Sequence, residues 1–226
     1  MSERERPGKT SDQKAEDNPK GRVLSIAGSD SGGGAGIQAD IKAISMNGGY
    51  AMTAITAITL QNTQGVFGVV PVSPRAIREQ IRLTLTDIGA DVIKTGMLGD
   101  RATIESVCDA WNEFAPKTAK VIDPVMVATS GDRLLASDAV DVLKQLLVPG
   151  AYLLTPNAPE AEILSNKAVE SVDGQRRAAE RLMEVGAKAV LVKGGHVSGD
   201  VITDVLHTEY DEFFFETRRI ETENTH

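Results

Sequence analysis

The stretch Ala27–Asp40 reads AGSDSGGGAGIQAD, with glycine at 28, 32, 33, 34 and 36. Residues without a side chain let main chain lie close against a ligand, so the loop is a candidate binding element. Two phosphate-binding patterns can be checked directly, the dinucleotide fingerprint G-x-G-x-x-G and the Walker loop G-x-x-x-x-G-K-[ST]. Neither fits. Ile37 stands where the third fingerprint glycine belongs, and the only Gly-Lys-Thr, at Gly8 to Thr10, lacks the upstream glycine and lies in a polar tail. Without other evidence such a loop is more often a tight structural turn.

Further polar groups recur at the ends of apolar runs: Gln61-Asn62-Thr63, Thr95-Gly96-Met97, Asp123-Pro124, Thr155-Pro156-Asn157 and Lys193-Gly194-Gly195-His196. Together they supply carboxylates, amides, a lysine and closely approachable backbone. Each has a purely structural alternative. Asp40 could be a solvated helix position, Gln61-Asn62 a turn, and Met97 core. Asn157 and Glu160 suit a helix N-terminus, where amides and carboxylates stabilise without a metal. Lys193, directly after an apolar run, is harder to explain structurally. His196, His207 and His226 lack a compact metal-ligand spacing. Cys108 reads as a small buried hydrophobe, and the aromatic run Phe213-Phe214-Phe215 as an edge strand with one buried face.

These groups need elements to hold them. From Val23 onward, short apolar runs alternate with amphipathic ones, the pattern of βαβ units and a largely parallel sheet. Strands are expected at VLSIAG (23–28), YAMTAITAIT (50–59), GVFGVVPV (65–72), DVIKTG (91–96), AKVIDPV (119–125), AYLLTP (151–156) and KAVLVKGG (188–195). Helices are expected at about 36–46, 73–88, 101–114, 137–147, 158–165 and 173–186. The second has Ser73 as cap and Pro74 at its first position. Two strands, DVITDVLH and DEFFFETRRI, joined by a turn near 208–211, close the sheet in an antiparallel sense. In an open parallel sheet, ligands bind beyond the carboxyl ends of the strands. All the polar clusters fall on that rim.

Composition narrows the partners. The chain has 226 residues, enough for one α/β domain with a well-buried core. A net charge of −8 argues against a broad surface for nucleic acid or an anionic membrane and favours a small-molecule partner. One cysteine excludes an intrachain disulfide framework and suits a reducing cytoplasm. No apolar stretch is long enough to span a bilayer. Residues 1–21 are dominated by charged and polar side chains and are expected to form a disordered extension, with the domain over 22–226.

The motifs AGSDSGGGAGIQADIK, QNTQGV, KTGML, VIDPVMVATSG, LLTPNAPEAEIL, VLVKGGH and a terminal NTH, in this order, closely resemble the hydroxymethylpyrimidine/phosphomethylpyrimidine kinases of thiamine biosynthesis. The resemblance covers about Arg22 to His226. It implies a ribokinase-like α/β fold: a three-layer sandwich with a mostly parallel central sheet, helices on both faces and antiparallel strands near the C-terminus. It also implies ATP-dependent phosphorylation of 4-amino-5-hydroxymethyl-2-methylpyrimidine and then of its monophosphate, with ATP and Mg²⁺, in a cytoplasmic homodimer. By motif, Gly28, Ala35, Asp40, Gln61, Met97 and Val125 should surround the pyrimidine. Asp123, Asn157, Glu160 and Lys193 should serve the nucleotide, with Asn157 and Glu160 near the metal, acting through water. An aminopyrimidine edge offers donor and acceptor atoms that a glutamine amide can match with two bonds. An aspartate can complement the amino or hydroxymethyl group.

In the family a Gly-Thr-Gly-Cys motif follows the point where this sequence reads ENTH, and its helix N-terminus forms an anion hole. Nothing in residues 1–226 matches it, and Cys108 lies in a helical pattern elsewhere. No catalytic residue is therefore assigned, and the chain is expected to turn over far more slowly than a complete kinase. The rivals are a pyridoxal kinase, a non-catalytic pyrimidine-binding module and, more distantly, a nicotinamide-dependent oxidoreductase.

Overall fold

The run RVLSIAGSD forms strand β1 (Arg22–Asp30), in which Leu24, Ser25, Ile26 and Ala27 are all fully buried. Neighbouring strand residues point to opposite faces, so β1 is covered on both sides and must lie inside the sheet. The computed structural model describes residues 19–126, 134–136 and 138–220. Most of the expected extension, residues 127–131 of the quoted VIDPVMVATSG motif, and the terminal NTH fall outside the described residues.

The other strands are β2 (Tyr50–Asn62), β3 (Gly65–Pro71), β4 (Val92–Thr95), β5 (Ala119–Ile122), β6 (Leu153–Leu154), β7 (Ala189–Val192), β8 (Val201–Thr208) and β9 (Glu212–Arg218). They form one sheet in the order β3-β2-β1-β4-β5-β6-β7-β8-β9. Pairings from β2 across to β7 are parallel, and β8 and β9 follow antiparallel as expected. The other edge differs. β3 turns back antiparallel on β2, with Asn62 paired to Gly65 around the tight turn at Thr63-Gln64. Gln61 and Asn62 therefore lie within β2 and not after it.

Helices are α1 (Gly36–Met46), α2 (Pro74–Asp87), α3 (Arg101–Phe114), α4 (Ala139–Leu146), α5 (Ala158–Ser165) and α6 (Val172–Val185). The Ser73 hydroxyl caps α2 by accepting from the Ala76 amide at 3.3 Å. Ile77 and Ile81 of α2 join Leu24 and Ile26 of β1 in the core, while Ser25, on the opposite face, bonds Asp40 of α1. Helices thus cover both faces.

Three strands end two or three residues earlier than expected, β7 at Val192 among them. β5 stops at Ile122 and β6 at Leu154, just before Asp123-Pro124 and Thr155-Pro156. A proline has no N–H to give the ladder, and the chain peels away at both points into the ligand rim. The aromatic run of β9 also departs from expectation. Phe213, Phe214 and Phe215 are each about half exposed, so neither face of this edge strand is covered among the described residues.

Candidate active site

The glycine loop is built around Asp30. Its Oδ1 accepts from the Gly32 amide at 2.8 Å, and its Oδ2 accepts from Gly34 at 3.0 Å and Ala35 at 2.8 Å. Gln38 of α1 anchors the other side, accepting from the Asp30 amide and donating to the Ser29 hydroxyl, both at 2.8 Å. Gly36 has φ +57°, and a Cβ there would meet the Gly28 carbonyl oxygen at 2.4 Å. The turn into α1 therefore requires glycine.

This loop, β2 and the ends of β4 and β5 enclose a cavity of about 330 Å³. Gly28, Ala35, Asp40, Gln61, Met97 and Val125 all line it, together with Asp123 and Lys94. Its wall mixes polar and apolar side chains. Gln61 Oε1 accepts from Thr59 Oγ1 at 3.2 Å, and Met97 is held by its carbonyl, which accepts from Thr56 Oγ1 at 2.6 Å. Asp40 is no solvated helix position. Its carboxylate accepts from Ser25 at 2.6 Å and pairs with Lys94 at 2.9 Å.

The second cluster adjoins the first through Asp123. Asp123 Oδ1 accepts from Lys193 Nζ at 3.0 Å and from Thr155 Oγ1 at 3.3 Å. Lys193 is set by a bridge to Asn157 and by donation of its amide to the Pro156 carbonyl at 2.8 Å. Asn157 and Glu160 form a reciprocal capping box on α5: each side chain accepts the other residue's backbone N–H at 2.9 Å. Glu160 Oε1 also accepts from the Met126 amide at 3.3 Å. Burial pushes the Glu160 carboxyl up to about 7, against the opposing pull of the Asn157 amide, with Asp123 pushing in the same direction as burial.

The metal expectation concerns Asn157 and Glu160. Each Glu160 oxygen accepts one backbone N–H, and the residue is only 4% exposed, so burial turns it away from direct ligation. Asn157 Oδ1 is likewise engaged by the Glu160 amide, although a carbonyl oxygen has a second lone pair. Among the described residues no group of three or more His, Cys, Asp or Glu side chains could hold a metal.

Other features do not compete as a catalytic centre. A wider depression of about 740 Å³ between α2 and α3 carries Arg78, Glu105 and Glu113, but Arg78 is paired with Glu113, and Glu105 with Arg101. Cys108 is buried, and burial first, then Asp109 and Glu105, push its thiol up to about 12. No helix among the described residues is long and apolar enough to cross a membrane.

Asp30 and Lys94 were missed at the level of sequence, and each had a signal. An aspartate directly before Ser-Gly-Gly-Gly is placed to accept from the amides that follow. A lysine inside the apolar run VIKT must find a partner once its strand is buried.

The family described as phosphomethylpyrimidine kinase matches residues 30–226. A thiamine biosynthesis bifunctional protein of Geobacter sulfurreducens is 45% identical over 208 residues, 92% of this chain but 42% of that protein. A hydroxymethylpyrimidine/phosphomethylpyrimidine kinase of Bacillus subtilis is 44% identical over 186 residues, 82% of this chain and 68% of that one. Among solved structures, an ADP complex of Bacillus subtilis pyridoxal kinase superposes with a TM-score of 0.78 at 35% identity, covering 89% of this chain and 76% of that one. The architecture is thus that of the ribokinase-like vitamin kinases, and on the extent of the match the chain belongs to the phosphomethylpyrimidine kinase family.

Proposed function

We propose that this chain uses ATP to phosphorylate the hydroxymethyl group of 4-amino-5-hydroxymethyl-2-methylpyrimidine, and then the resulting monophosphate. The observation that carries the reading is the 330 Å³ cavity, lined at once by the six residues expected around a pyrimidine and by Asp123 of the charged cluster beside it. In this reading Met97 and Val125 pack on the ring, the Gln61 amide meets its edge, and Asp40 accepts from its amino group. Gly28 leaves room for the ring to lie against main chain.

Phosphoryl transfer depends mainly on positioning and on neutralising charge. Lys193 is proposed to meet phosphate oxygens, exchanging its bond with Asp123 for them. Mg²⁺, held through water by Asn157 and Glu160, would neutralise charge on the phosphates. A cytoplasmic homodimer is part of the proposal. The unpaired buried Cys108 supports the compartment, and the exposed apolar edge of β2 and β3, with Ile58, Leu60, Phe67 and Val70, supports self-association.

The test is calorimetric titration of the folded chain with the aminopyrimidine alcohol and with pyridoxal, followed by ATP turnover with each. Saturable binding and phosphorylation of the pyrimidine are expected. Preference for pyridoxal would instead favour the second reading, which rests on the structural likeness to a pyridoxal kinase.

A further inference from the structure

Lys94 sits inside β4, where it pairs in register with Ser25 of β1, and both project toward α1. Its ammonium is 2.9 Å from each oxygen of Asp40, and the fully buried Ser25 hydroxyl donates to Asp40 Oδ2 at 2.6 Å. Both charged side chains are mostly enclosed, at 22% and 18% exposure, and both line the cavity. The next residue on that side is Gly96, where a Cβ would come within 3.2 Å of Nζ.

A carboxylate has about four lone-pair sites. Ser25 and Lys94 occupy both on Oδ2, and Lys94 takes one on Oδ1. One acceptor site is left. We infer that Lys94 is a positioning residue that fixes Asp40 as a one-site acceptor, so that this end of the cavity selects a ligand with an N–H donor there and rejects one with a carbonyl. A purely structural ion pair would be a weak reason for the arrangement, because buried pairs are commonly replaceable by apolar residues without loss of stability. The inference rests on the pyrimidine reading above and deepens it.

The experiment uses the full chain and two ligands, 4-amino-5-hydroxymethyl-2-methylpyrimidine and its 4-oxo analogue, which puts a carbonyl in place of the amino group. Affinities are measured by calorimetry for the wild type and for Lys94→Met, Lys94→Arg and Ser25→Ala. The wild type should prefer the amino ligand on the order of 100-fold, since a site built around one hydrogen bond rejects ligands that cannot make it. Lys94→Met should reduce that preference to within about 5-fold, and Lys94→Arg should restore most of it. Ser25→Ala, which retains the ion pair, should lower it several-fold and keeps the test open where Lys94→Met does not fold. Wild-type preference in folded Lys94→Met, or in Ser25→Ala if the former does not fold, overturns the inference alone. A folded wild type that binds neither pyrimidine overturns the functional reading and this inference with it.

Discussion

Lys193 Nζ lies 3.0 Å from Asp123 Oδ1, joining the ends of β7 and β5 across 70 residues of sequence. The pair bridges the two halves of the candidate site, because Asp123 also lines the cavity. Lys193→Gln keeps a donor but removes the charge. A charged hydrogen bond is worth about 1.5–3 kcal/mol, reduced here by solvent at the partly exposed lysine. Affinity for a non-hydrolysable ATP analogue should fall about tenfold, with pyrimidine affinity unchanged. Equal losses for both ligands would remove Lys193 from the nucleotide end.

Gly28 and Gly36 should respond differently to the same added methyl group. At Gly36, with φ +57°, a Cβ meets the rigid Gly28 carbonyl at 2.4 Å, so Gly36→Ala should destabilise the chain by about 2 kcal/mol or more. At Gly28 the near contact is Met97 Cε at 2.7 Å, the movable end of a flexible side chain. Gly28→Ala should therefore melt within a few degrees of wild type yet bind pyrimidine at least tenfold more weakly. Thermal melting and calorimetry on the two variants decide it. Normal binding by Gly28→Ala would mean that the ring does not lie against this residue.

Glu160 should give the apo chain a pH-dependent stability. Its ordinary value is 4.5 and burial raises it to about 7, so the folded state favours the protonated form. That contribution is complete below pH 4.5 and lost as pH rises through 7, amounting to about 3 kcal/mol. Glu160→Gln cannot titrate. Without divalent metal, the melting temperature of wild type relative to this variant should drop between pH 5 and pH 8; parallel curves would contradict the burial argument.

Arg219 holds the loop between β7 and β8. Its guanidinium donates to the carbonyls of Gly199 at 2.8 Å, Gly195 at 2.9 Å and Val197 at 2.6 Å. Arg219→Ala should leave the core intact and speed amide hydrogen exchange at residues 195–201 at least tenfold. Unchanged exchange there would show that the strand ends alone order the loop.

Among the described residues, the alternation of apolar and amphipathic runs placed the strands and α-helices, because parallel strands and their crossover helices have distinct periods. Boundaries followed other forces. β2 runs on through Gln61 and Asn62 because β3 offers an antiparallel partner, something only tertiary pairing decides. β5 and β6 shorten because proline cannot join the ladder. The six motif residues lie around one cavity, but Lys94, which engages both Asp40 oxygens, lies 54 residues away from it in sequence. A propensity argument sees lysine in a strand. Only the fold supplies its aspartate.

The carboxylate of Asp30, gripping the loop amides of Gly32, Gly34 and Ala35, also decides when the glycine loop loses its freedom. Each residue fixed in one backbone conformation gives up about 1–2 kcal/mol of entropy, and glycine gives up the most. With Asp30 in place, that loss is incurred during folding and not when ligand arrives. A chain without this carboxylate would keep every atom that can touch the ring and still bind more weakly, because the ligand would have to order the loop itself.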